Sequence, residues 1–361
     1  MADLPISSTI YTAVTAQDMA GRTSALARAK IAPGRYFRVF CGIDSLSAGG
    51  GDPLSTYRTP LAAGLKERLG DGGPGLLWFD ALNAGYYSGA TGGTVSAFLV
   101  GNPAWNSGAR SHSLCGLGTT FTGVSGAYAG LDPGAPWDRV RIYFELGTGG
   151  SFGAVADGAG AIGETVDTTR FPTGTLCSVD LYRAATHETA MAIYSGAGTF
   201  TLFGAEFLLD GGGATVSNAG ISATALAQHA SLDDSWGRAW AQLLKADVYI
   251  LNAGMNDRLT DDGAKYGFGI NKLVGRWQAG GTDVLLVRPN DSSDVATTFL
   301  AGYDKALQMT AMARRCGYVD DRDALGVYAD AVAAGFMSDL IHPNDPGNAA
   351  RAAAYLAAIT P

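Results

Sequence analysis

The chain carries little charge. Only 16% of its 361 residues are Asp, Glu, Lys or Arg, and no Lys/Arg cluster occurs anywhere. With a net charge of −8 there is no basic footprint, which argues against a nucleic-acid partner. An acidic surface also disfavours adsorption to anionic lipid. No run approaches the ~20 apolar residues of a membrane span. The first residues, Met1-Ala2-Asp3-Leu4-Pro5, lack the basic start and apolar stretch of a signal peptide. The expectation is a protein that stays where it is made or leaves within a particle. Cysteine is scarce too. Cys41, Cys115, Cys177 and Cys316 are far apart and form no CxxC pair, which argues against a zinc site and for buried free thiols. Histidine numbers four, so each can be weighed singly.

Glycine is abundant instead, at 51 residues, and 47% of the chain is hydrophobic. That combination means many tight turns around ample core. At this length two domains, or one with a large insertion, are expected. Residues 1–34 are polar and small, with a helix expected from Ala16 to Lys30, and read as an N-terminal arm. It either packs on the main domain or attaches to a larger assembly. Tyr36 to Gly42 suits a buried parallel strand, and Thr56 to Leu69 a helix stopped by Gly70-Asp71-Gly72-Gly73-Pro74.

The texture changes in the middle. Short aromatic runs such as Arg139 to Leu146 and Thr199 to Phe203 alternate with Gly-rich turns and show no helical period. That is the pattern of an antiparallel β-sandwich or jelly roll. After Gly212, strands at Thr215–Asn218, Asp247–Leu251, Asp283–Val287 and Gly317–Asp320 alternate with helical segments, closing on Asn348 to Ala358. Such alternation implies a parallel sheet covered on both faces. The expected domains are residues 35–90 with 205–361, interrupted by a β insertion at 91–204.

Four short segments carry the chemistry. Ser45, in Gly42-Ile43-Asp44-Ser45-Leu46-Ser47, follows a strand, where α/β sheets bind ligands. A hydroxyl there is a nucleophile if a base activates it, or a polar turn if none does. Gly220, in Ser217-Asn218-Ala219-Gly220-Ile221-Ser222, lets a backbone N–H approach an oxyanion, or simply ends a strand. Asn256, in Asn252-Ala253-Gly254-Met255-Asn256-Asp257, offers a side-chain amide after a buried strand, or a turn. Asp339-Leu340-Ile341-His342-Pro343-Asn344 places an acid three residues before a histidine, so one loop can present both. His112 and His187 fall in the insertion and His229 on an expected helix, where they read as surface or structural groups.

In order and wording these segments resemble the four sequence blocks of the SGNH (GDSL-like) hydrolases, over residues 35–90 and 205–361. One departure is that Ile43 stands between Gly42 and Asp44-Ser45 where that family has Gly-Asp-Ser. The resemblance implies a three-layer α/β/α domain. It also implies Ser45 as nucleophile, His342 as general base and then acid, and Asp339 as its orienter. The Ser45 N–H, the Gly220 N–H and the Asn256 side chain would form the oxyanion hole. No metal and no cofactor are implied. The expected reaction is ester hydrolysis, with an acylated polysaccharide as substrate and O-acetyl as the group removed. Trp105, Trp137, Tyr143, Tyr182 and Tyr194 of the insertion are sugar-stacking candidates, although core positions suit most of them. The alternative is a glycan-binding spike or tail component of a virus-like particle, joined to other subunits through the N-terminal arm.

Overall fold

The structure is a computed structural model. It describes residues 33–48, 56–79, 105–107, 112–114, 118–122, 128–156, 160–168, 172–187, 191–221, 224–259, 263–293 and 297–360. The arm at 1–34, except for its last two residues, lies outside the described residues, as do Cys115 and Ser222.

Strand β1 (Tyr36–Ile43) is buried at every position, as befits a strand covered on both faces. Among the described residues eight antiparallel strands follow: β2 (Gly75–Trp78), β3 (Trp105–Ser107), β4 (Thr119–Thr122), β5 (Tyr128–Leu131), β6 (Trp137–Ala156), β7 (Gly160–Asp167), β8 (Leu176–His187) and β9 (Met191–Leu208). The chain then returns to the first sheet through β10 (Gly213–Asn218), β11 (Val248–Asn252), β12 (Asp283–Arg288) and β13 (Gly317–Asp320). The first sheet has the order β10-β1-β11-β12-β13 and is parallel throughout. Its register pairs Cys41 with Asn218 and Ile43 with Asn252, so the carboxyl ends of β10, β1 and β11 lie side by side.

The helices are α1 (Ser45–Ala48), α2 (Arg58–Leu69), α3 (Leu226–Ser231), α4 (Asp234–Leu244), α5 (Gly263–Ala279), α6 (Thr297–Arg314), α7 (Asp321–Leu325), α8 (Tyr328–Ala333) and α9 (Asp345–Ile359). Leu61 and Leu65 of α2 and Tyr355 and Ile359 of α9 pack with Phe37, Val39 and Cys41 on one face of the parallel sheet. On the other face, Trp240 of α4 and Ile270, Val274 and Trp277 of α5 share a core with Phe40, Tyr249 and Leu251. This is the expected α/β/α arrangement with an inserted antiparallel sheet. No helix among the described residues is long and apolar enough to cross a membrane.

The insertion is antiparallel, as expected. Among the described residues its eight strands are hydrogen-bonded into one connected sheet. The reason lies in β6 and β9, 20 and 18 residues long, which pair with each other almost end to end. On its free edge β9 takes β5, β4 and β2 in turn, while β6 takes β7 and β8. Three register shifts interrupt the β6–β9 ladder, and such irregularities bend and twist strands. The sheet also starts earlier than residue 91, because Leu76, Leu77 and Trp78 pair with β9.

Trp240 joins the two sheets. Its ring lies 5.7 Å from Trp78, 5.8 Å from Tyr143 and 5.2 Å from Phe203, all in tilted or edge arrangements. Trp78 Nε1 donates to Asn218 O at 2.6 Å, satisfying the one polar atom of that buried ring. Beneath them Arg38 of β1 meets Glu206 of β9 at 2.9 Å, and Tyr143 donates to the same carboxylate at 3.0 Å. Trp137 and Tyr143 are fully buried and Tyr194 is 40% exposed, so two of the candidate stacking rings belong to the core. The side chains of Trp105 and Tyr182 lie outside the described residues. Cys41, Cys177 and Cys316 are buried and, among the described residues, form no disulfide.

Candidate active site

β1 ends at Ile43, and Asp44 turns the chain into α1. The Asp44 carbonyl accepts from Ser47 N at 3.1 Å and Ala48 N at 2.9 Å, and its carboxylate accepts from Leu46 N at 3.0 Å. Asp44 thus caps the short helix that Ser45 opens. Ser45 N–H is among the first amides of that helix, which intrahelical bonding leaves without partners. Burial pushes the Asp44 carboxyl up to about 7. The Leu46 N–H and Arg351 oppose the rise, and nearby Asp257 adds to it.

Ile43, the departure from the family pattern, does not crowd the nucleophile. Its side chain is fully buried in the core with Phe40, and its carbonyl accepts from Ile221 N at 2.8 Å and Thr224 Oγ1 at 3.0 Å. The Gly42–Ile43 peptide is cis. Gly42 is required by proximity, since a Cβ there would stand 2.1 Å from the Tyr249 hydroxyl.

His342 comes to Ser45 from the far end of the chain. Ser45 Oγ and His342 Nε2 are 3.0 Å apart, and His342 Nδ1 is 2.8 Å from Asp339 Oδ2. The other Asp339 oxygen accepts from the backbone N–H groups of Ile341 and His342, each at 2.7 Å. Partial burial raises the Asp339 carboxyl, but these His342 and Ile341 bonds outweigh it and hold the group below its ordinary value. An ionised carboxylate only accepts, so Nδ1 carries the proton and Nε2 presents its lone pair to Ser45.

The loop bearing this pair is tied at four successive carbonyls. Leu340 O accepts from Ser293 N at 3.1 Å, and Ile341 O from Asn290 Nδ2 at 2.9 Å. His342 O accepts from Ser338 N at 2.9 Å, and Pro343 O from Asn348 Nδ2 at 3.0 Å. Asn344 accepts from Gly347 N and caps α9. Asn290 and Asn348 were not singled out from sequence. Isolated asparagines carry no periodic or motif signal, although Asn348 stands only six residues after His342.

Gly220 lies directly on the α1 turn, and its N–H donates to Asn218 Oδ1 at 2.8 Å. Asn256 Nδ2 donates one hydrogen to Thr224 O at 2.9 Å, leaving the second hydrogen of the amide to serve another acceptor. Gly254, before it, holds a φ of +123°, a backbone conformation that L side chains rarely adopt. The structure therefore brings Ser45, His342 and Asp339 into one hydrogen-bonded chain, with Gly220 against the nucleophile turn and Asn256 bonded to Thr224, whose hydroxyl donates to Ile43 O.

Neither of the other two histidines with described side chains joins the Ser45–His342–Asp339 chain. His229 is buried on α3 with Nε2 3.2 Å from Thr224 Oγ1. His112 pairs with Glu145 at 2.9 Å and stacks on Trp236 at 4.1 Å. The side chain of His187 is outside the described residues. Among the described residues no group of three or more His, Cys, Asp or Glu is arranged to hold a metal ion.

Residues 189–350 match the model of the GDSL-like lipase/acylhydrolase family. The chain carries a GDSL-like lipase/acylhydrolase domain. The matched range contains Gly220, Asn256, Asp339 and His342, while Ser45 precedes it. No curated protein matches the chain. Among solved structures, a peptidoglycan O-acetylesterase is similar in fold, with a TM-score of 0.69 at 18% identity over 95% of this chain and 96% of that one. That span takes in the inserted sheet as well as the GDSL-like domain. An acetylxylan esterase from Geobacillus stearothermophilus aligns over 41% of this chain and 73% of its own, at 19% identity and a TM-score of 0.33. A GDSL-like lipase from Bacteroides thetaiotaomicron aligns over 40% and 75%, at 17% identity and a TM-score of 0.34.

Proposed function

We propose that this acylhydrolase is a serine esterase that removes O-acetyl groups from a polysaccharide. The observation that carries the reading is the hydrogen-bonded chain Ser45 Oγ, His342 Nε2, His342 Nδ1, Asp339 Oδ2. Ser45 Oγ attacks the acetyl carbonyl carbon while His342 Nε2 takes its proton. The tetrahedral oxyanion is met by the Ser45 N–H and the second Asn256 Nδ2 hydrogen. Gly220 N–H joins them when it turns from Asn218 Oδ1. The carbon–oxygen bond to the sugar then breaks, and His342 returns the proton to the sugar oxygen. Water, deprotonated by His342, attacks acetyl-Ser45, and acetate leaves with Ser45 restored. Asp339 stays ionised and stabilises the imidazolium in both steps.

The polysaccharide assignment is supported by the likeness of the whole fold, insertion included, to a peptidoglycan O-acetylesterase. Hydrolysis of p-nitrophenyl acetate, with Ser45→Ala beside the wild type, tests the chemistry. Acetate release from O-acetylated peptidoglycan and from acetylated xylan tests the substrate. Wild-type protein that cleaves no acetyl ester defeats the proposal and leaves glycan binding as the better reading. A chelator should leave the rate unchanged.

A further inference from the structure

The two halves of the Ser45–His342 contact are 297 residues apart in sequence, and something must fix their separation. Beneath them runs a continuous buried path. Ser47 Oγ, on the nucleophile turn, lies 2.8 Å from Tyr57 Oη. The Arg351 guanidinium sits over the Tyr57 ring, 4.8 Å from its centroid. Arg351 Nη1 donates to Asn348 Oδ1 at 3.2 Å, and Asn348 Nδ2 donates to Pro343 O, the carbonyl next to His342. Tyr57 and Arg351 are fully buried and Asn348 nearly so. Asp321, also fully buried, accepts from Arg351 Nε at 2.8 Å and holds the hub in place.

Stability alone is a weak reason for such a hub. Removing two charges from water is costly, and well-packed apolar side chains of similar volume often do as well. What an apolar pair cannot supply is direction. The fork of Arg351 keeps Asp321, Asn348 and the Tyr57 ring at fixed angles, and two of these reach opposite halves of the site. We propose that Arg351, Asn348 and Tyr57 form a positioning cluster that sets the distance between Ser45 and His342. The proposal rests on the serine esterase reading above. It adds residues that touch neither substrate nor reacting atoms and act through the loop and turn that do. A displacement of about 1 Å in a reacting group can cost on the order of a hundredfold in rate, so modest loosening here should register.

Arg351 itself is a poor probe, because removing it strands Asp321 and endangers folding. Two smaller changes test each arm. Asn348→Asp keeps the acceptor for Arg351 and loses the donor to Pro343. Tyr57→Phe keeps the ring beneath Arg351 and loses the hydroxyl on Ser47. For p-nitrophenyl acetate we expect Asn348→Asp to lower kcat by about tenfold or more, with KM within twofold. Tyr57→Phe should lower kcat less. The double variant should be no slower than Asn348→Asp by more than twofold, because the two changes cut one path. The His342 imidazole resonances, followed by NMR, should shift in both single variants although Tyr57 is remote from that ring.

The proposal is overturned if Asn348→Asp retains wild-type kcat while Ser45→Ala abolishes turnover. It is also overturned if the two losses multiply in the double variant, or if KM alone changes. Should the wild type show no Ser45-dependent turnover, the esterase reading falls separately. The imidazole resonances then decide: a shift in Tyr57→Phe upholds the coupling, and an unmoved spectrum ends it.

Discussion

Gly220 packs against Ser47 so closely that a Cβ on the glycine would stand 2.7 Å from the Ser47 Cβ. It would also stand 2.8 Å from the Asp44 carbonyl and 2.9 Å from Ala48 N. The end of β10 and the turn carrying Ser45 are thus seated on each other with no room for a side chain. Gly220 needs no positive φ, so close approach is the reason for glycine here. Gly220→Ala should push the turn outward, cost about 1–3 kcal/mol of stability and lower kcat/KM by roughly tenfold or more. Thermal unfolding and p-nitrophenyl acetate kinetics check both. An alanine variant with wild-type kinetics would remove Gly220 from the site's architecture.

Asn256→Ala tests the oxyanion assignment. Losing one oxyanion donor costs ~10²–10³ in kcat, or ~2.7–4 kcal/mol of transition-state stabilisation. The substitution also takes a donor from the part-buried Thr224 O, which should cost about 1 kcal/mol of stability. A kcat within threefold of wild type would transfer the role to the Ser45 and Gly220 amides.

Much of this was legible in the chain, and the pattern of what was not is physical. β1, β11 and β12 are short apolar runs ended by functional loops, and their positions are within two residues of expectation. The acid and the histidine of Asp339-Leu340-Ile341-His342 are close in sequence, so a loop could be foreseen to present both. The strand pairing within the insertion was not legible, because alternation shows which residues face a core but not which edge pairs with which. Asn290, Asn348 and Arg351 were likewise invisible, since their importance comes from carbonyls and rings contributed by remote segments. The direction of the Gly220 N–H, toward Asn218 rather than open space, depends on a side-chain rotamer that no sequence pattern specifies.

Asp339→Asn should fold normally and lose activity by roughly 10²- to 10⁴-fold in kcat. The amide can still accept at one atom, but it no longer compels the Nδ1–H tautomer that points a lone pair at Ser45. Circular dichroism and kcat separate the two effects. Wild-type turnover in this variant would reduce the triad to a Ser45–His342 pair.

Glu206 tests the joint between the sheets. It accepts from Arg38 and Tyr143 and is fully buried. Glu206→Leu leaves the Arg38 charge almost buried and unpaired, which should destabilise by about 3–5 kcal/mol. Adding Arg38→Met should recover a large part of that loss, because the stranded charge is then gone. Urea denaturation of the single and double variants measures it, and a single variant as stable as wild type would show the pair to be dispensable.

Two buried groups near the site should pull stability in opposite directions with pH. Burial lowers His229 from its ordinary 6.5 to about 4, an effect that Arg276 reinforces and backbone bonds at Ile43 and Leu114 oppose. Between those values the unfolded chain holds a proton there that the folded chain does not, so stability rises with pH. Burial raises Asp44 from its ordinary 3.8 to about 7. Between these values the folded chain holds the proton, so stability falls as pH rises. Each slope is about 1.4 kcal/mol per pH unit, and over pH ~4–6.5 the two offset each other. His229→Gln should therefore leave a stability that declines with pH across this window, and Asp44→Asn one that climbs. Urea midpoints at half-unit intervals from pH 4 to 7.5 give the slopes. If both variants run parallel to wild type, neither group is held away from its ordinary titration by the fold.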